Sequence, residues 1–219
     1  MKHLIFIGLF APLMALSDPA IAVFGGSFSS IKASHQAKDA WAKALKCRVD
    51  TYGIGGCGFE AGRGRTNDVS SQVSRAIASG IEYKAFVLWG SGNDVSCPLA
   101  ATSNGVERAV EIIREKAPYA KIVLLNSIDQ PFRDERFRTK LRACAAAQQA
   151  VCRRLDVPCL NLNALSGITK ENGRELVSHD DCHMTPAGYR FIAPLTTNFL
   201  VQHISVGVPT KLTNAEIVK

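Results

Sequence analysis

Short apolar runs alternate with longer amphipathic stretches along the whole chain. Residues 20–24 are continuously apolar and run into glycines. From 30 to 46, Ile31, Ala37, Trp41, Ala44 and Leu45 mark one face of a helix. Residues 48–54 form a second strand-like run, again ending in glycines, and 68–79 a helix with Val69, Val73 and Ile77 at four-residue spacing. A buried strand over 84–89 precedes a helix over 104–116 whose inward positions are Val106, Val110 and Ile113. A strand over 121–125, a helix over about 136–155 rich in alanine and arginine, a strand over 157–162 and a closing helix over 186–202 complete the pattern. Strands alternating with helices predict an α/β domain whose parallel sheet is covered on both faces. Such sheets bind ligands beyond the carboxyl ends of their strands. No repeat or linker interrupts the pattern, so one domain over 18–204 is expected, with a patternless tail over 205–219.

The first residues follow a different rule. Met1-Lys2-His3 is a short basic start, 4–16 is apolar apart from Gly8 and Pro12, and Ala15-Leu16-Ser17 offers small residues for cleavage. This reads as an export signal over 1–17, giving a secreted or periplasmic chain. Cleavage after Ala22 would destroy the run leading into Ser27, so the cut is placed after Ser17. No apolar run reaches the ~18 residues of a spanning helix, so no stable membrane span is expected. The 219 residues, 47% of them hydrophobic, suffice for a substantial core. The formal charge of +7 becomes 7 − 1 = +6 once the single lysine of 1–17 is removed. The basic residues are scattered, which argues against a nucleic acid partner. Seven cysteines fit an oxidising compartment, and the odd number leaves at least one thiol unpaired within the chain. Cys144 and Cys152, eight apart on one helix, stand about 12 Å apart at helical rise. That is beyond the ~7 Å limit for a bridge. Cys57 with Cys97, both after strand ends, is the pairing considered. No spacing reads as a zinc site.

Four segments carry candidate chemistry, in order: Gly25-Gly26-Ser27-Phe28-Ser29, Gly53-Ile54-Gly55-Gly56, Gly90-Ser91-Gly92-Asn93-Asp94 and Asp180-Asp181-Cys182-His183. The first three follow successive strands. A strand running through two glycines into a helix makes a tight turn that can present Ser27 at the sheet edge, where a nucleophile needs exposure, a base and oxyanion donors. A helix-capping serine is the competing explanation, and Ser29 and Ser30 are read as caps. Backbone N–H groups in the second segment and the Asn93 amide can supply donors. Asp180, three residues before His183, can reach the imidazole Nδ1 and leave Nε2 to take a serine proton. Asp181 is a rival for the acid. Thr185-Pro186 then reads as a helix N-cap and first residue. Gly53, Gly55 and Gly58 also satisfy G-x-G-x-x-G, but the acid expected about 20 residues on, at a strand end, is missing. No nucleotide cofactor is expected.

Together the four segments resemble the SGNH hydrolases, also called GDSL esterases and lipases, over about residues 18–203. The resemblance implies a flavodoxin-like three-layer sandwich with a five-stranded parallel sheet. It implies a Ser27, Asp180, His183 triad and an oxyanion hole formed by the Ser27 N–H, the Gly56 N–H and the Asn93 side chain, with Gly55 an alternative to Gly56. Two positions depart from the family pattern: Gly26 stands where the Gly-Asp-Ser motif has Asp, and Ser91 where Gly-x-Asn-Asp has its glycine. Asp94 is read as ordering its loop. Arg63, Arg65 and the stretch 130–133 follow strand ends two and four, where they could line a substrate groove; they are read as a solvated rim and left out of the site.

The expected function is a secreted serine esterase needing no cofactor or metal. Its expected substrate is a small-molecule or polysaccharide ester, through O-deacetylation of a carbohydrate or cell-wall polymer. The alternatives are a lysophospholipase or thioesterase, a non-catalytic carbohydrate-binding surface protein on the same fold, and a thiol nucleophile at Cys57 or Cys182.

Overall fold

The structure, a computed structural model, describes residues 19–60 and 67–204. The expected signal over 1–17, the tail over 205–219, Arg63 and Arg65 lie outside the described residues. In chain order the elements are β1 (Ala20–Gly25), α1 (Ser27–Ser30), a 3-10 turn (Lys32–Ser34), α2 (His35–Leu45), β2 (Arg48–Thr51), α3 (Val69–Ala78) and β3 (Tyr83–Trp89). A second 3-10 turn (Gly92–Ser96), α4 (Leu99–Lys116), β4 (Lys121–Leu125), α5 (Glu135–Arg154), β5 (Cys159–Leu160), α6 (Leu162–Leu165), α7 (Gly173–Leu176) and α8 (Pro186–Ile204) follow.

The five strands are all parallel, in the order β2-β1-β3-β4-β5. This is the flavodoxin-like order, whose switch point lies between β1 and β3. Alternate residues of β1 feed opposite faces. Ile21 and Val23 join Trp41 of α2, Trp89, and Tyr189 and Ile192 of α8 in one core. Ala20, Ala22 and Phe24 join Val69 and Val73 of α3, Val106 and Val110 of α4, and Val151 of α5 in the other. The Trp41 indole N–H donates to Thr196 Oγ1 at 2.9 Å, satisfying a buried donor across the α2–α8 layer.

Element boundaries differ from the sequence expectation where local polar chemistry intervenes. The helix expected over 30–46 is broken into α1, a 3-10 turn and α2, with Ile31 extended between them (φ −69°, ψ 152°). Serine side chains there bond nearby carbonyls: Ser29 Oγ donates to Gly26 O at 2.9 Å and Ser34 Oγ to Ile31 O at 2.7 Å. Such bonds compete with a continuous helix. Ser29 and Ser30 therefore do not act as caps; neither short helix has a side-chain cap bond. β2 ends at Thr51, although Tyr52 N–H and Ile54 N–H still donate to Val23 O and Gly25 O of β1. α4 begins five residues earlier than expected, directly after Pro98, with a first turn whose Leu99 is exposed and whose Thr102 is buried, so no apolar period marks it. β5 is only two residues long, since the Asn161 carboxamide accepts from Ala164 N–H and turns the chain into α6.

No disulfide joins Cys57 to Cys97. Cys57 is wholly buried and its carbonyl is engaged by Asn93. Cys144 and Cys152, excluded as a pair on spacing, are likewise unbridged. Among the described residues no helix is long and apolar enough to cross a membrane.

Candidate active site

The ends of β1 and β3, together with the loop before α8, converge on one small cavity. Ser27 is the first residue of α1, directly after β1. The turn presenting it is held from three sides. Gln72 of α3 brackets Gly25, accepting from its N–H at 2.8 Å and donating to its carbonyl at 3.0 Å. Tyr189 of α8 donates to Phe28 O at 2.7 Å. The ammonium of Lys38, itself buried, donates to Ser29 O at 3.0 Å and to Thr51 Oγ1 at 2.9 Å. Burial lowers the Lys38 pKa from its ordinary value, opposed by the nearby charge of Asp39.

Ser27 Oγ lies 2.7 Å from His183 Nε2, and His183 Nδ1 lies 2.5 Å from Asp180 Oδ2. The second oxygen of Asp180 accepts from Ser178 Oγ at 2.6 Å, His183 N–H at 2.9 Å and Cys182 N–H at 3.0 Å. Partial burial would raise the Asp180 pKa. The hydrogen bonds from Ser178, His183 and Cys182 outweigh it and hold the carboxyl well below the usual carboxylate range. Asp181, the rival acid, takes a left-handed conformation (φ 56°) and pairs with Arg174 at 3.0 Å. The loop is closed by an antiparallel bridge between Val177 and Met184 and by Ser178 N–H donating to His183 O at 2.7 Å. Thr185 caps α8 as the sequence indicates, its Oγ1 accepting from Gly188 N–H at 3.1 Å.

Asn93 lines the same cavity as Ser27. Its Nδ2 donates to Ser91 Oγ at 2.7 Å and to Cys57 O at 3.0 Å, so the amide is oriented by two internal bonds. Gly56 is the third residue of a turn in which Cys57 N–H donates to Ile54 O at 3.2 Å. Its φ of +78° is the conformation that favours glycine at that position of a type II turn. Gly56 stands beside Cys57 but does not line the cavity. Gly55, the alternative donor, shares its turn. Asp94 is fully buried and ties the loop after β3 to the loop after β2, accepting from Glu60 N–H at 3.3 Å. Burial pushes its pKa up to about 7, against the lowering effect of the Glu60 and Phe59 N–H groups.

Several site residues escaped the sequence reading. Gln130 and Arg133, left out of the site there as rim, line the cavity with Ser27 and Asn93, as does Phe137; Gly92 and Cys182, which lie in the named segments, line it too. Ser91 was legible only as a departure from a motif. It is buried, and its hydroxyl accepts from Asn93 N–H at 3.1 Å as well as from Asn93 Nδ2. A Cβ on Gly26 would stand 2.6 Å from Ser91 Oγ and 2.5 Å from Cys57 O. The two departures from the family pattern thus meet in space. Gln72 lies 47 residues from Gly25 in sequence, and no local pattern announces their pairing.

The family model of the GDSL-like lipase/acylhydrolase family matches residues 23–191. The chain belongs to this family. Its coarse activity is therefore hydrolysis of esters. Among solved structures, a protein from Lactobacillus plantarum superposes with a TM-score of 0.69 at 20% identity, over 86% of this chain and 99% of that one. A carbohydrate acetylesterase from Sinorhizobium meliloti superposes with a TM-score of 0.66 at 12% identity, over 84% and 99%. An inhibitor-bound aryl esterase from M. smegmatis does so with 0.67 at 12%, over 84% and 99%. At these identities the likeness is one of fold. No curated protein matches the sequence significantly.

Proposed function

We propose that this GDSL-family chain is a serine esterase that removes short acyl groups, acetyl above all, from a carbohydrate or cell-wall polymer. The single observation that carries the mechanism is the continuous chain Ser27 Oγ–His183 Nε2, His183 Nδ1–Asp180 Oδ2, at 2.7 Å and 2.5 Å. In the first step Ser27 Oγ attacks the ester carbonyl and His183 Nε2 takes the serine proton. The Asp180 carboxylate fixes the imidazole tautomer and balances the imidazolium charge. His183 then returns the proton to the leaving alcohol as the acyl–oxygen bond breaks. In the second step water, deprotonated by His183, cleaves the acyl-enzyme, and the proton passes back to Ser27.

The developing oxyanion is held by the Ser27 N–H and the Asn93 amide, with the Gly56 N–H as a third donor once substrate draws its turn toward the cavity. Asn93 reaches it by exchanging one of its two internal bonds, to Cys57 O or Ser91 Oγ, for the oxyanion. The intact hydroxyl–imidazole–carboxylate chain supports an enzyme over a non-catalytic binding protein. The cavity at Ser27, about 60 Å³, supports a short acyl group over the long chains of a lysophospholipase or thioesterase. The carbohydrate acetylesterase of the same fold adds weight to a sugar ester. The basic start and apolar block of 1–17 support export, so the substrate is placed outside the cytoplasm.

Ser27→Ala is expected to abolish release of acetate from acetylated xylan and of 4-nitrophenol from its acetate, with an unchanged melting temperature. Turnover persisting at the wild-type rate in the folded variant contradicts the proposal.

A further inference from the structure

The turn after β4 carries Arg133, a cation that stacks on an aromatic ring but meets no carboxylate among the described residues. Residues 130–133 close through Arg133 N–H donating to Gln130 O at 3.0 Å. The turn is clamped. Phe132 lies under the Arg174 guanidinium at 3.6 Å and against Gly173, where a Cβ would come within 2.9 Å of its ring. The Arg133 guanidinium in turn lies over the Phe137 ring, 4.4 Å from its centroid. Gln130, Arg133 and Phe137 thereby form one wall of the cavity that holds Ser27 and Asn93.

Most neighbouring cations are paired, Arg136 and Lys140 being the exposed exceptions among the described residues. Arg138 pairs with Asp129 and Glu135, Arg142 with Glu135, and Arg174 with Asp181. Arg133 has no carboxylate partner among the described residues. It also immediately precedes Asp134, the N-cap of α5, where the helix dipole disfavours a cation. Neither an ion pair nor the helix accounts for its position. The carboxylates beside the cavity are occupied as well: Asp180 by His183 and Ser178, Asp181 by Arg174. In the same wall the Gln130 carboxamide is buried with neither its nitrogen nor its oxygen paired, a cost that asks for a partner.

We propose that the wall formed by Gln130, Arg133 and Phe137 is a subsite for a carboxylate borne by the ester substrate. Arg133 reads the carboxylate, its guanidinium already oriented by stacking on Phe137, and Gln130 takes up an adjoining polar group. Acidic esters are then the preferred substrates. This rests on the reading of Ser27 as nucleophile.

The test compares meta- and para-acetoxybenzoate with their methyl esters, which lack the charge. Because the ester group also makes the phenol a better leaving group, each rate is divided by that of the substrate's hydroxide-catalysed hydrolysis. For the full chain the acids are expected to show the lower KM at low ionic strength, and the difference to shrink with added salt. Arg133→Gln is expected to reduce the acid-to-methyl-ester ratio of kcat/KM by about tenfold, through KM. Arg133→Lys is expected to restore part of the preference. A wild-type chain without preference for the acids, or an Arg133→Gln ratio equal to the wild-type one, overturns the subsite while methyl-ester turnover continues. Loss of the underlying reading looks different: no acetoxybenzoate of either kind is hydrolysed faster by the wild type than by Ser27→Ala, and the subsite falls with it.

Discussion

Gly26 and Ser91 are where the chain leaves its family's pattern, and they touch. With no Cβ at position 26, Ser91 Oγ and the Cys57 carbonyl close over the turn that presents Ser27. The Ser91 hydroxyl then accepts from both the backbone and the side-chain amide of Asn93. One small residue beneath the nucleophile thus makes room for a hydroxyl that orients a candidate oxyanion donor. The contact makes the two positions energetically coupled. Gly26→Ala is expected to cost about 1–3 kcal/mol through overpacking. Ser91→Gly should relieve only the side-chain half of that clash, because the Cys57 carbonyl stays in place. Urea denaturation of both single variants and the double variant measures the coupling. Strict additivity of the two changes would show that the contact carries no energy.

At the scale of elements, the nucleophile turn is not rigid by itself. α1 is a single turn of four residues, and an isolated helix of that length has no stability of its own. Its position is inherited from α3 through Gln72, from α8 through Tyr189 and from α2 through Lys38. Gln72 contributes most directly, since it satisfies both polar groups of buried Gly25. Gln72→Leu is expected to cost about 2 kcal/mol, because the buried Gly25 N–H loses its partner, while the Gly25 carbonyl keeps only the Ile54 N–H. Because Gly25 lies two residues before Ser27, kcat should fall while KM changes little. A chemical-denaturation curve with parallel ester kinetics checks both, and a variant with wild-type kcat would show that α3 does not position the serine.

For the whole molecule, two carboxyls pull the pH dependence of stability in opposite directions. Asp94 has a folded-state pKa of about 7, above its ordinary value near 3.8. The folded state therefore binds the proton more tightly than the unfolded chain, and stability falls as pH rises from about 4 to about 7. The shift corresponds to roughly 4 kcal/mol at most. Asp180 acts the other way. Its depressed folded pKa stabilises the fold at pH values above its ordinary range, and that contribution is lost as pH falls below it. Asp94→Asn is expected to flatten the slope between pH 4 and 7 and leave the acid limb in place, as read from urea midpoints across pH. A slope identical to wild type would show that Asp94 is ionised in the fold.

The same scale separates what the sequence discloses from what only folding assembles. Glycine-punctuated strand ends pointed to Ser27 and Asn93, which line one cavity, because in a parallel sheet the residues after each strand share one edge; Gly56, named on the same ground, does not line it. Asp180 and His183 were legible because a three-residue spacing in a turn is a local constraint. Gln72, Gln130 and Arg133 were not legible. Gln72 acts through a partner 47 residues away, and Gln130 and Arg133 meet the cavity only once the turn after β4 folds against it, so alone each reads as an ordinary polar surface residue. The break at Ile31 was hidden too, since an apolar period records which face is buried and not which carbonyls the serines take.

The central claim is that Ser27 is the activated nucleophile, and a fluorophosphonate probe tests it most directly. Incubating the full chain with the probe and mapping the modified peptide by mass spectrometry should place a single adduct on Ser27, absent from Ser27→Ala and much slower to form in His183→Ala. An adduct on another residue, or no adduct on a folded, ester-hydrolysing protein, would contradict the account.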